Sequence, residues 1–270
     1  MYDAICKDVP GAAIPGGAEG LPEGSTFGLT DLALALNACM GIGPDGPATP
    51  PTPAQFSRLS KFLQITMIPP SFIGRDMGYA TFALSDLVHD PRKLAGKIGA
   101  GNAFVDYGDP VINADIERVV PNPGAANRLA SNYSPTGDTR GAKVVSIHTD
   151  KDGLVIVENE SEYAKRVDPS KLTTAIVVEG EPTHCGFTPA ETTASWESLR
   201  NWVAGAPQPT AASIQGLCRF IAANDPGLGG CRFDPAFVIP NIDGRIRPRR
   251  LRIPDQDDLG FRSNVTDDSD

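Results

Sequence analysis

The order of apolar and polar residues divides the chain into a helical first part and a second part in which strands and helices alternate. From Thr26 to about Tyr133 apolar residues recur every three or four positions, as on amphipathic helices. Two of the predicted helices have clear apolar faces: Leu29, Leu32, Leu36 and Cys39 on the first, and Phe56, Leu59, Phe62 and Leu63 on the second, which begins at Pro53. The pattern predicts further helices over 81–88 and 113–120.

Short β-branched runs predict the strands. Residues 144–148 and 173–178 are typical of strands buried on both faces, and residues 2–6 also read as a short buried strand. Helices are predicted over 158–167 and 211–222. A third helix is predicted to begin at the capping box Thr188–Glu191 and to end at Gly205. Its predicted inner face carries Trp196, Leu199, Trp202 and Val203. Strand, helix, strand, helix indicates a parallel α/β unit, and two strands suggest the end of a larger sheet.

Composition excludes some classes of protein. The 270 residues are 40% hydrophobic, which indicates a globular chain, and the net charge of −9 disfavours nucleic acid as a partner. No apolar run is long enough to span a membrane, and Met1 is not followed by a recognisable signal peptide.

The five cysteines suggest disulfide bonds. Cys218 and Cys231 flank a loop rich in Gly, Asn and Pro, a spacing that suits a local disulfide, and Cys6 and Cys39 could form a second one. Cys185 is then left over. The alternative is five buried thiols in a reducing compartment.

The strongest chemical signal lies just after the two strands. Asp152 follows the first strand and His184 follows the second, and functional groups collect beyond the carboxyl ends of parallel strands. An acid followed by a histidine fits the Ser…Asp…His chain order of the α/β-hydrolase triad. Asp150 is the alternative acid.

Two segments carry a resemblance to a known family: HTDKDGLVIVEN resembles the acid loop of α/β-hydrolases and EGEPTHCGFTPAE resembles their histidine loop. The His184–Cys185 pair is similar to that of the tannase and feruloyl esterase group. In that group the cysteine after the catalytic histidine is disulfide-bonded to one before the nucleophilic serine. The resemblance covers about residues 1–10 and 141–210, and implies a Ser-His-Asp ester hydrolase with no cofactor.

No serine of this chain suits the role of nucleophile. No G-x-S-x-G motif is present, and Gly24–Gly28 has the wrong spacing. We therefore expect the serine on a segment not in this chain, an N-terminal half that is a separate or processed chain, and expect this chain alone to be inactive. Cys185 would then pair with a cysteine of that segment, unless it is a buried free thiol.

The resemblance also implies a domain organisation, the C-terminal part of an α/β-hydrolase fold with a mainly helical lid. Residues 1–19 are then a core strand that follows the nucleophile helix, 20–140 the lid, 141–237 the catalytic core and 238–270 an extension. Four apolar and aromatic lid residues are candidates for lining a substrate pocket: Phe72, Met77, Tyr79 and Phe82. The alternative, which we favour for these four, is that they form the core of the lid.

The expected substrate is a small-molecule or polymer-derived ester, and the expected location is secreted or periplasmic. The alternatives are a peptidase of the same fold and a non-catalytic subunit that binds a partner through the lid. His148 and His89 are interpreted as structural. Asp106 and Asp109 lack a calcium-loop spacing, so no metal is predicted.

Overall fold

A computed structural model describes residues 1–43, 51–133 and 136–241 of the chain. These residues form two compact units, one made of residues 1–133 and the other of residues 136–241. The fold is of the mixed α/β class, with many helices and a small parallel sheet. Of the predicted extension over 238–270, all but the first four residues lie outside the described residues.

The first unit is helical. Its α-helices are α1 (Tyr2–Cys6), α2 (Leu29–Met40), α3 (Pro53–Thr66), α4 (Ile73–Gly78), α5 (Leu84–His89), α6 (Pro110–Asp115) and α7 (Pro123–Tyr133), and a π-helical turn, Tyr79–Ala83, joins α4 to α5. Its main core gathers apolar side chains from α1 to α4, with Cys39 and Met40 of α2 fully buried.

The strand predicted at residues 2–6 is wrong, because this segment is helix α1. Tyr2, Ala4 and Cys6 are buried on α1, and the Tyr2 hydroxyl donates to the carbonyl of Ala35 at 2.8 Å. Tyr2, Ala4 and Cys6 alternate with the strand period, whereas only Tyr2 and Cys6, four positions apart, share one helical face, and five residues are too few to decide between the two. The helix packs on α3 and α6 of the first unit.

The other predicted helices of this unit are partly correct. Helices α2 and α3 form where they were predicted, but Leu29 and Phe56 are exposed. The predicted helix 81–88 is the end of a longer run that begins at Ile73. The helix predicted over 113–120 lies earlier, because Asp109 accepts from the amides of Val111 and Ile112 and so begins α6 there.

The second unit is a two-stranded parallel sheet with helices. Its elements are β1 (Val144–Thr149), α8 (Asn159–Arg166), β2 (Leu172–Val177), α9 (Pro189–Val203) and α10 (Ala211–Asn224). The register places Val144 opposite Leu172 and Thr149 opposite Val177. Helix α9 packs on β1 and on α10, and α10 packs on β2. The alternation of strand and helix predicted from the sequence is confirmed.

Strand β1 is less covered than predicted. Five of its six residues are only partly buried, and Thr149 alone is fully buried. One edge of β1 pairs with β2, and no strand of the described ranges pairs with the other edge. A strand rich in β-branched residues and without charged ones has the composition of a strand from the interior of a sheet, although β1 is paired along one edge only.

Helix α9 turns a different face inward from the one predicted. Trp202 is buried as expected, but Trp196 and Val203 are exposed. The buried row consists mainly of small residues four positions apart, Ala190, Ala194 and Ser198. Small side chains allow the helix to approach β1 and α10 closely, so packing distance rather than hydrophobicity selects this face.

The two predicted disulfides are both present. Cys6 of α1 is bonded to Cys39 of α2, and Cys218 of α10 is bonded to Cys231. Cys185 is a free thiol, and it is exposed rather than buried. No helix among residues 1–43, 51–133 and 136–241 has the length and apolar character that crossing a membrane requires.

Candidate active site

Two loops leave the carboxyl ends of β1 and β2 side by side. The first runs from Asp150 to Glu158 and carries Asp152, and the second runs from Val178 to Thr188 and carries His184. The loops are joined near their bases: the Asp150 carboxylate accepts from the amide of Glu179 at 2.8 Å, and the Lys151 ammonium donates to the carbonyl of Gly180 at 2.7 Å.

The structure pairs His184 with Asp152. The Nδ1 atom of His184 lies 2.8 Å from Oδ2 of Asp152, a hydrogen-bond distance between residues 32 positions apart in sequence. The other carboxylate oxygen, Oδ1, accepts from the backbone amides of Leu154 and Val155, each at 2.9 Å. Asp152 therefore has a fixed orientation, and Asp150, the alternative acid, serves instead to join the loops.

The charge on Asp152 is stabilised although the side chain is only 4% exposed. Burial by itself raises the pKa of this carboxyl group, but the amide of Val155, the His184 ring and the amide of Leu154 together outweigh it and hold the pKa below its ordinary value. Asp152 is thus ionised at neutral pH. Because a carboxylate only accepts, His184 donates from Nδ1 and in its neutral form presents Nε2 without a proton.

The Nε2 side of the His184 ring has no hydroxyl partner in the described part of the chain. The side chain is 32% exposed, and Sγ of Cys185 lies 3.8 Å from Nε2. Sγ is almost as far from Nδ1, at 3.9 Å, so it is aligned with the lone pair of neither nitrogen. Nε2 is therefore open to a group supplied from elsewhere.

Asp152, His184 and Cys185 also place three possible metal-ligand atoms within 4.8 Å of one another. An ion bound by Oδ2 and Nδ1 in tetrahedral geometry would hold these atoms about 3.3 Å apart. Their actual separation of 2.8 Å is that of a direct hydrogen bond. The arrangement suits proton transfer through His184 better than coordination of an ion.

The loop that carries His184 is held in a compact turn. The Glu179 carboxylate accepts from both the hydroxyl and the amide of Thr183, and Cys185 has a positive φ of 56°. A Cβ on Gly186 would lie 2.6 Å from Oε1 of Glu179 and would also overlap Thr183. Glycine at position 186 is therefore required by the fold of this loop.

Gly186→Ala is expected to destabilise the second unit by about 1–3 kcal/mol, because the added methyl group must displace Glu179 or Thr183. Urea denaturation measures the change in the free energy of unfolding. The matched control is Gly180→Ala, where a Cβ meets no atom within 4 Å. Equal stability of the two variants would contradict this account of the loop.

A buried ion-pair network behind the loop was not predicted from the sequence. Glu191, in the first turn of α9, is fully buried and pairs with Arg232. The capping box of Thr188 and Glu191 was visible in the sequence and is present. Arg232 is 41 positions from Glu191 in sequence, and no local pattern connects the two.

The four residues predicted to line a substrate pocket do not share one surface. Phe72 is buried in the first unit and Phe82 is partly buried there, while Tyr79 is 55% exposed. Met77 is buried and lines a mostly apolar cavity of about 340 Å³, together with Tyr2, Phe62 and other residues of that unit. Burial of Phe72 agrees with the alternative that these residues belong to the core of this region.

The remaining candidates have local structural roles. Asp109 begins α6 and forms an ion pair with Lys61 at 2.8 Å, and Asp106 accepts from the amide of Gly108 at 2.9 Å. The Nδ1 atom of His148 lies 2.9 Å from the carbonyl oxygen of Thr149, and His89 is the last residue of α5.

Comparison with protein-family models, with curated proteins and with solved structures finds no match for this chain.

Proposed function

We propose that Asp152 and His184 are the acid and the base of a serine ester hydrolase of the α/β-hydrolase class, and that the serine lies on a segment outside this chain. The observation that carries the proposal is the 2.8 Å hydrogen bond from His184 Nδ1 to an Asp152 carboxylate that two backbone amides hold in place. This is the geometry in which a histidine removes a proton from a hydroxyl group through Nε2.

The order of the elements supports the same class. The acid follows one parallel strand and the histidine follows the next, at the edge of the sheet where α/β enzymes bind their ligands. The uncovered edge of β1 supports a larger sheet, in which a further strand lies beside it. The C-terminal part of an α/β-hydrolase fold has both properties.

The chemistry follows from the donor and acceptor pattern. His184 Nε2 takes the proton of the serine hydroxyl as the oxygen attacks the ester carbonyl, and Asp152 stabilises the imidazolium that results. His184 then gives the proton to the departing alcohol, which leaves an acyl-serine. Water, deprotonated by the same nitrogen, then attacks the acyl carbonyl, and the bond to the serine oxygen breaks as His184 returns the proton to that oxygen and the acid leaves. Fixation of Asp152 by the amides of Leu154 and Val155 keeps the ring in the productive tautomer.

The protein is proposed to act outside the cytosol, in a secreted or periplasmic location. Two disulfides, Cys6–Cys39 and Cys218–Cys231, support this location because such bonds persist in oxidising compartments. The proposed substrate is a small-molecule or polymer-derived ester.

Labelling with a fluorophosphonate tests the proposal. The protein is isolated from its native host through a tag on this chain, and the labelled peptide is identified by mass spectrometry. We expect a labelled serine outside residues 1–270, no label on the recombinant 270-residue chain, and loss of labelling in His184→Ala. His148→Asn is the control that keeps the label, since the ring of His148 lies 2.9 Å from the carbonyl of Thr149 and takes no part in the hydrogen bond between Asp152 and His184.

Other results of the same experiment would overturn the proposal. A labelled serine within this chain would refute a separate nucleophile. Absence of label in every preparation would favour a non-catalytic subunit. If the protein is labelled but hydrolyses peptides and not esters, it would be a peptidase instead.

A further inference from the structure

Arg232 lies at the base of the loop that carries His184. The segment around it runs along the outer edge of β2: the amide of Val178 donates to the carbonyl of Arg232 at 3.1 Å, and the amide of Asp234 donates to the carbonyl of Ile176 at 2.9 Å. A bridge between Val177 and Phe233 continues this pairing. The backbone of Arg232 is therefore fixed where β2 ends and the loop begins.

The guanidinium group of Arg232 contacts the loop at several points. Its Nε and Nη2 atoms donate to the two oxygens of Glu191, at 3.0 and 2.8 Å, and Nη2 also donates to the carbonyl of Gly186 at 2.6 Å. Its Nη1 atom lies 3.7 Å from the carboxylate of Glu179. The side chains of Glu191 and Glu179 are almost completely buried, while that of Arg232 is 35% exposed.

These contacts hold both ends of the loop and its middle. Glu179 stands two residues after β2, Glu191 lies in the first turn of α9, and Gly186 lies two residues after His184. A single planar side chain thus sets the distance between the two ends of the loop. Arginine suits this task because its donors form a rigid fork that matches a carboxylate at two points.

We propose that Arg232 is a positioning residue that holds His184 against Asp152. This inference rests on the proposed function, because it takes His184 to be the catalytic base that Arg232 orients. Arg232 does not touch His184 or Asp152. It acts through the carbonyl of Gly186 and through the two carboxylates that fix the ends of the loop.

The disulfide between Cys218 and Cys231 contributes to the same positioning. Cys231 directly precedes Arg232, and its partner Cys218 is fully buried in α10, which packs on β2. The amide of Arg232 also donates to Glu191, at 2.8 Å. The histidine loop, the start of α9 and the middle of α10 are thereby linked around one side chain.

Proton NMR of the His184 ring separates a positioning role from a purely structural one. The readout is the exchange rate with water of the Nδ1 proton, identified as the far-downfield resonance that both His184→Ala and Asp152→Asn remove. The full chain is compared with Arg232→Gln and with the double variant Glu191→Gln/Arg232→Gln. Arg200→Gln is the matched control, because Arg200 pairs with Glu197 on the exposed side of α9.

We expect the Nδ1 proton to exchange about tenfold faster or more in Arg232→Gln, the effect of losing a charge-assisted hydrogen bond on local opening. The double variant is expected to show the same increase. It leaves no unpaired buried carboxylate at position 191, so it still provides the measurement if Arg232→Gln does not fold. Arg200→Gln is expected to match the unmodified chain.

An unchanged exchange rate in folded Arg232→Gln or in the double variant would overturn the proposal, even if either variant melts at a lower temperature. This outcome would leave the hydrogen bond between Asp152 and His184 intact. Failure of the proposed function looks different, because no preparation of the unmodified protein would then take the fluorophosphonate label, whatever the exchange rate of the Nδ1 proton.

Discussion

Asp152→Asn is expected to lower the ester turnover of the proposed hydrolase, assembled with its serine-bearing segment, by about 10⁴-fold while leaving the fold intact. An asparagine oxygen can still accept from the amides of Leu154 and Val155, which turns its NH₂ group toward His184. The ring must then accept through Nδ1 and hold its proton on Nε2. In this tautomer Nε2 has no lone pair with which to take the proton of the serine.

Steady-state hydrolysis of a chromogenic phenyl ester measures this effect. The matched control is Asp150→Asn, two residues away, where the asparagine oxygen can still accept from the amide of Glu179. We expect its turnover to stay close to that of the unmodified enzyme. If Asp150→Asn lost as much activity as Asp152→Asn, or if Asp152→Asn lost none, the assignment of the acid would be wrong.

Removal of the disulfide between Cys6 and Cys39 is expected to destabilise the first unit by about 4 kcal/mol, since the bond closes a loop with a sequence separation of 33. The cost arises mainly because the unfolded chain gains conformational freedom. The double variant Cys6→Ala/Cys39→Ala tests this by urea denaturation. Both sulfurs are buried, so cavity formation adds to the loss.

Two further variants calibrate that measurement. Cys218→Ala/Cys231→Ala opens a loop with a separation of 13, for which about 3 kcal/mol is expected in the second unit. Cys185→Ser changes an exposed free thiol and should leave the unfolding free energy unchanged. A loss as large for Cys185→Ser as for the Cys6 and Cys39 variant would refute the loop-entropy explanation.

The sequence was informative where one physical rule dominates. Two β-branched runs, separated by a polar-faced helix, predict parallel strands, and such strands place their following loops at one edge of the sheet. This rule alone brings Asp152 and His184 together. The choice of Asp152 over Asp150 was predicted from the resemblance, and the hydrogen bond to His184 agrees with it.

Other features could not be predicted because local pattern does not determine them. Residues 2–6 are too few to distinguish a helix from a strand. The inward face of α9 is chosen by the close approach of Ala190 and Ala194 to their neighbours, which hydrophobicity alone does not report. Arg232 meets Glu191 only after the chain has passed through α9 and α10, so no spacing rule applies to the pair.

The uncovered edge of β1 has a consequence for the behaviour of the isolated chain. Val144, Val145 and Ile147 lie partly exposed on a strand without Asp, Glu, Lys, Arg or Pro, and charged residues flank it only at its two ends, Lys143 before it and Asp150 after it. Such an edge is a template for intermolecular strand pairing and aggregation. Solubility of the recombinant chain should therefore depend on what is produced with it, as much as on its own sequence.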